Sequence, residues 1–174
     1  MTLRLAALTS AMLLLATGIA TAQDNKPTDP QIAHIAYTAG QIDIEAGKLA
    51  LKKSKNKQVR DFAEDMVRDH TAVNAKALAL VKKLNVTPED NPTSKALLDQ
   101  AKKEHAALSK LNGKAFDKAY AANEVAYHKT VNSALETTLI PSASNSELKD
   151  LLGTGLKIFQ GHEQHAEHLA AEMK

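Results

Sequence analysis

The stretch VRDFAEDMVRDHTAVNAKALALVKKL, Val59 to Leu84, decides the fold. Val59, Ala63, Met66, His70, Val73, Ala77, Leu80 and Leu84 recur at alternating steps of three and four residues. That is the a/d seam of a helix packed against other helices. The segment opens near Asn56. One position breaks the pattern: His70 fills a slot where packing calls for an apolar side chain.

The same periodicity extends to both sides. Upstream, Asp29-Pro30 reads as an N-cap followed by a proline in the first turn. Ile32, Ile35, Ala39, Ile42, Ala46 and Leu49 then form a seam that stops in the polar KKSKNK. Downstream, NVTPEDNP is a connector, and a shorter helix runs from about Thr93 to Leu111. Asn112-Gly113 reads as its C-cap. A long helix from about Lys114 to Leu139 shows Phe116, Tyr120, Tyr127, Val131 and Leu135 on one face, and Pro141 is expected to stop it. Ser144-Asn145-Ser146-Glu147 reads as a capping box. The last seam is Leu148, Leu152, Gly155, Phe159, His162, Ala166, Leu169 and Met173, with His162 in a core slot.

No strand-like alternation occurs, so the expected class is all-α. Four long helices with a short one between the second and third predict a four-helix bundle. The extra piece is long enough to act as a crossover, which permits the ferritin-like arrangement.

The first residues carry a different signal. Arg4 precedes the apolar run Leu5 to Ala20, and Ala20-Thr21-Ala22 is a small-x-small tripeptide. This predicts a secretory signal peptide over residues 1–22, cleaved after Ala22. A polar tail, 23–28, and a bundle domain, 29–174, follow. The expected product has no membrane span and resides in the periplasm or outside the cell. There is no cysteine, which excludes disulfides, thiolate metal sites and a cysteine-linked lipid anchor. The formal net charge is +2, giving no general reason to bind nucleic acid. Lys48, Lys52, Lys53, Lys55, Lys57 and Arg60 cluster near the first helix–helix turn, where cations complement a helix C-terminus.

Further polar residues face inward. Glu124 and His128 share a helix face, Asp43 and Glu45 flank the first seam on either side, Asp69 adjoins His70, and His165 lies one turn from His162. With the first turn centred near Lys55, Asp43 and His70 differ in height by roughly 4–5 Å. With the second centred near Ser142, Glu124 and His162 differ by about 3 Å and His128 lies roughly 9 Å off. Every long helix can therefore send a polar group to the middle of the bundle.

Two readings compete. Asp43, Glu45, Asp69, His70, Glu124, His128, His162 and His165 are candidate ligands for iron, zinc, copper or manganese, which suit imidazole and carboxylate donors. The same groups can instead form a hydrogen-bonded core layer that fixes register. His34, His105 and His168 fall off the seams and read as solvated surface. HEQHAEH, 162–168, fails the HExxH pattern because His162 and His165 are three residues apart.

IDIEAGKLALKKSKNKQVRDFAEDMVRDHTAVNAKAL, FDKAYAANEVAYHKTV and HEQHAEHLA resemble an exported bacterial family of unknown function. Its members are often labelled "predicted outer membrane protein" and are grouped with ferritin-like bundles. The resemblance implies that fold and secretion, and no established activity. The chain departs from di-iron ferritins: Val67 and Val125 stand three residues before His70 and His128, where a Glu-x-x-His motif has glutamate. The expected function is that of an exported soluble helical bundle of uncharacterised activity, with metal binding and a part in envelope stress or metal handling as its functional reading. The alternatives are a ferritin-type metal-dependent oxidoreductase and an interaction module using the basic tip or the crossover helix.

Overall fold

The computed structural model describes residues 26–173. The expected signal peptide lies outside them, as do residues 23–25 of the tail. The described residues form α1 (Asp29–Lys53), α2 (Lys57–Lys83), α3 (Pro92–Ser109), α4 (Gly113–Ala134), a π-helical turn (Leu135–Leu139), the single turn α5 (Ile140–Ser142) and α6 (Ser146–Glu172). None of them is in a strand.

Polar contacts at the two ends fix the topology. After α2, Glu89 N–H donates to Pro30 O (3.1 Å), so the chain has returned to the start of α1. At the other end of α3, Lys53 Nζ donates to Ser109 O (2.5 Å), beside the end of α1. Thus α3 runs the length of the bundle, parallel to α1. There α4 begins, with Ser54 Oγ donating to buried Asp117 (2.5 Å). It runs back until Asp29 accepts the N–H groups of Ser144 and Asn145 (2.8 and 2.9 Å). α6 then returns to bring Met173 beside Asn56. Helices α1 and α6 point one way and α2 and α4 the other, with α3 as crossover. This is the ferritin-like order of an all-α bundle.

Capping residues set the element ends. Asn56 accepts from the N–H groups of Gln58 and Val59 at the start of α2. Past its end, Asn85 adopts φ +52°, and Asn85 and Val86 donate back to Lys82 O and Val81 O. That is a Schellman closure, with asparagine in the left-handed position. Arg60 turns onto Leu51 O and Ser54 O, so part of the basic cluster caps α1.

Several local expectations shift. α1 starts at Asp29, after Thr28, because Asp29 is committed to the α5–α6 link. α3 ends at Ser109, and Asn112-Gly113 opens α4. The cap of α6 is Asn145, which accepts from Leu148 N–H. Pro141 does not stop the helix. A proline ring clashes with the carbonyl four residues back in an α-helix. Here the wider π turn precedes it, Ile140 N–H bonds Leu135 O, and helical backbone continues to Ser142.

The apolar core is in two parts. One surrounds Phe62, Met66, Phe116, Tyr120 and Leu169. The other surrounds Ile32, Ile35, Leu139, Leu152 and Phe159. Between Met66 and Phe159 lies a polar layer.

Candidate metal centre

Asp43 reaches this layer because α1 packs closely on α2. Gly40 and Gly47 lie three residues before and four after it, on the same face. A Cβ on Gly47 would stand 2.9 Å from Val67 Cγ2 and 3.1 Å from Ala63 O, and one on Gly40 would meet the Asn74 amide. Across this contact, Asp43 Oδ2 lies 2.8 Å from His70 Nε2. His128 Nε2, from α4, is 3.2 Å from the same oxygen. Neither contact has the alignment of a hydrogen bond, and both Asp43 oxygens lack such a partner. Glu124 joins from α4, its Oε2 3.7 Å from His128 Nδ1. His162 joins from α6, with its ring centroid 5.3 Å from that of His70 and 5.5 Å from that of His128. Exposure of these five residues runs from 0 % for Asp43 to 7 % for His162.

Surrounding groups orient the rings. His128 Nδ1 is 2.9 Å from Glu124 O. A carbonyl only accepts, so the proton is on Nδ1 and Nε2 presents a lone pair. His162 Nε2 is 3.1 Å from Asp69 Oδ2. Asp69 also takes two bonds from Arg68, which hold it ionised, so His162 Nε2 is the donor and Nδ1 is left as a buried lone pair. Phe159 stacks on His70 at 4.4 Å. Tyr127 is tied to Ala39 O (2.7 Å), whereas the buried Tyr120 hydroxyl has no partner.

The two donor sets overlap. Ligand atoms of His70, His128 and His162 lie within 4.8 Å of one another, and so do those of Asp43, Glu124 and His128. Donors around one tetrahedral ion at ~2.0–2.2 Å bonds lie roughly 3.3–3.6 Å apart, so either set holds an ion once its side chains close in by about an ångström.

The electrostatics follow from burial. Burial alone would raise the Asp43 carboxyl, but the His70, His128 and His162 rings outweigh it and hold it low. Burial, then the Asp43 charge, pushes Glu124 well above the usual carboxylate range. Burial lowers His128 despite Asp43. It lowers His162 to about 4, against the bond to Asp69. Burial thus favours the neutral, ligating form of His128 and His162.

Over residues 15–169 the chain matches the model of a family described as Domain of unknown function (DUF4142). The chain belongs to this family. No curated protein and no solved structure matches it. Every residue of the centre lies within the DUF4142 span.

Of the residues singled out in the sequence, Asp43, His70, Glu124, His128 and His162 come together, and Asp69 touches the group through His162. Glu45 does not: it is exposed and paired with Lys48 at 2.8 Å. His165 is also exposed, against the edge of Phe62. The height count that set His128 apart took the second turn too early. With helix up to Ser142 and α6 starting at Ser146, the turn centres near residue 144, so Glu124 and His128 lie about 3 Å either side of His162. The glycines beside Asp43 were not recognised as part of the site. Their i−3, i+4 spacing around a carboxylate was the available signal.

Proposed function

We propose that this DUF4142 chain is an exported bundle that holds a first-row transition ion (iron, zinc, copper or manganese) at its centre. The primary ligands are His70, His128, His162 and Asp43, with Glu124 completing the shell. One observation carries this reading. The His128 Nε2 lone pair faces a buried Asp43 oxygen at 3.2 Å, and neither atom has a hydrogen-bond partner. Two lone pairs at that distance repel unless positive charge lies between them. Burial disfavours a proton on His128. A metal ion supplies the charge and also satisfies His162 Nδ1 and the carboxylate oxygens. Each such group left unpaired costs ~1–3 kcal/mol. Histidine nitrogen with carboxylate oxygen suits these ions.

The test is calorimetric titration of chelator-stripped protein with each metal near neutral pH. Wild type is expected to bind stoichiometrically. His128→Leu and His162→Leu are expected to lose binding, with circular dichroism to check that each keeps its helices, because removing one member of a buried polar group is itself destabilising. A wild-type protein that takes up none of the four metals ends the metal reading and leaves a polar core layer. Export rests on the apolar run before Ala22. Intact mass of exported material is expected to show Gln23 as the first residue, and retention of Met1 there would contradict it.

A further inference from the structure

We propose that the cavity beneath α3 is the route by which a divalent cation reaches this centre, with Glu104 as the carboxylate that first receives it. The inference rests on the metal reading above. A cavity of about 370 Å³ lies between α1, α3 and α4. On the α3 side its wall includes Leu98, Ala101 and Glu104. Deeper in, the wall includes Asp43 and Glu124. Those two are sealed from solvent, and their four carboxylate oxygens have no hydrogen-bond partner. A carboxylate at the rim therefore stands over two unpartnered carboxylates behind the same space.

The rim suits a cation. Glu104 is half-buried and uses Oε1 to accept from Gln100 (2.7 Å), so it is steadied but not neutralised. Lys102, on the same wall, lies 4.0 Å from Asp99. Between cavity and centre stands Glu124. Its two oxygens meet no partner at full hydrogen-bond geometry, so its carboxyl can turn outward, take the ion and return. The opposite edge of the centre is less inviting. Asp69 borders it, but Arg68 already neutralises that carboxylate through two bonds. α3 thus serves as more than a connector. It places a charge over the side of the centre that is backed by the unpartnered carboxyl groups of Asp43 and Glu124.

The experiment is stopped-flow uptake of Co²⁺, followed by its visible absorption, on the chelator-stripped full chain. Glu104→Gln is expected to slow association roughly tenfold, the scale of local electrostatic focusing. Dissociation is expected to slow in step, leaving the equilibrium constant unchanged, because a route alters the barrier and not the end states. Ala101→Trp, which fills the cavity, is expected to slow both at least as much. Glu136→Gln, an exposed carboxylate beside α6, serves as the charge control and leaves the rates alone. Unchanged rates in Glu104→Gln overturn the route even if Ala101→Trp fails to fold. Weaker affinity without slower association would make Glu104 a ligand and also overturn it. Failure of wild type to take up Co²⁺ or the metals above removes the metal reading, and the route with it.

Discussion

Asp69 shows how a residue outside the donor set can control it. Its carboxylate holds His162 by Nε2 and so aims Nδ1 inward, and Arg68 holds the carboxylate. Asn at this position keeps the shape but turns an anchored acceptor into an amide that can present either end. Asp69→Asn is expected to weaken metal affinity tenfold to a hundredfold, the usual effect of losing such an orienting partner. Helix content should be unchanged. Titration of the variant beside wild type checks this, and equal affinities would show that His162 is aimed by packing alone. At this scale the sequence was partly legible. His70 and His162 announce themselves because each interrupts an otherwise apolar seam. Asp43 and Glu45 were equivalent on paper, one on each flank of Ile42. Packing separates them: α1 is covered by α2, α3 and α4, and Asp43 takes the innermost direction while Ile42 is only half-buried.

Among the elements, α1 and α2 approach closely at Gly40 and Gly47. That contact makes a contrast between glycines that are alike in sequence. Gly161 sits on α6 with nothing near its missing Cβ, whereas Gly47 is pressed against Val67 and the Ala63 carbonyl. Gly161→Ala should stabilise by about 0.5–1 kcal/mol through helix propensity alone. Gly47→Ala gains the same propensity but pushes α1 from α2, and overpacking costs ~1–3 kcal/mol. It should be net destabilising and should weaken metal binding, because Asp43 lies one turn away. Urea unfolding of both variants decides the signs; stabilisation by Gly47→Ala would show that the contact can relax. The element boundaries were read less well than the elements. Pro141 is a strong stop signal in an α-helix, but a π turn is not visible in periodicity, and missing it displaced the second turn by about two residues. That error alone put His128 out of reach.

For the whole molecule, binding and stability are one quantity. An ion that binds only the folded chain adds about 2.7 kcal/mol at a free concentration a hundred times its dissociation constant. The melting temperature is therefore expected to climb with added metal, fall with chelator, and be insensitive to both in His162→Leu. Thermal scans across a metal series measure this. A wild-type midpoint that ignores metal already shown to bind would mean that the unfolded chain binds it equally well. The bundle and its crossover were legible because four seams and one extra helix leave few ways to bury the apolar faces. The convergence of the donors was less so, since it depends on turn geometry at both ends.

The donors of the centre are spread from Asp43 to His162, one or two from each long helix. No single helix holds three of them, and an unfolded chain has no preformed site. The full set is assembled only when and where the last helix docks. For a chain that crosses a membrane before folding, that step falls to the far compartment. On the proposed reading of an exported metal centre, the ion that fills it reflects the supply outside the cytoplasm as much as the preference of the ligands.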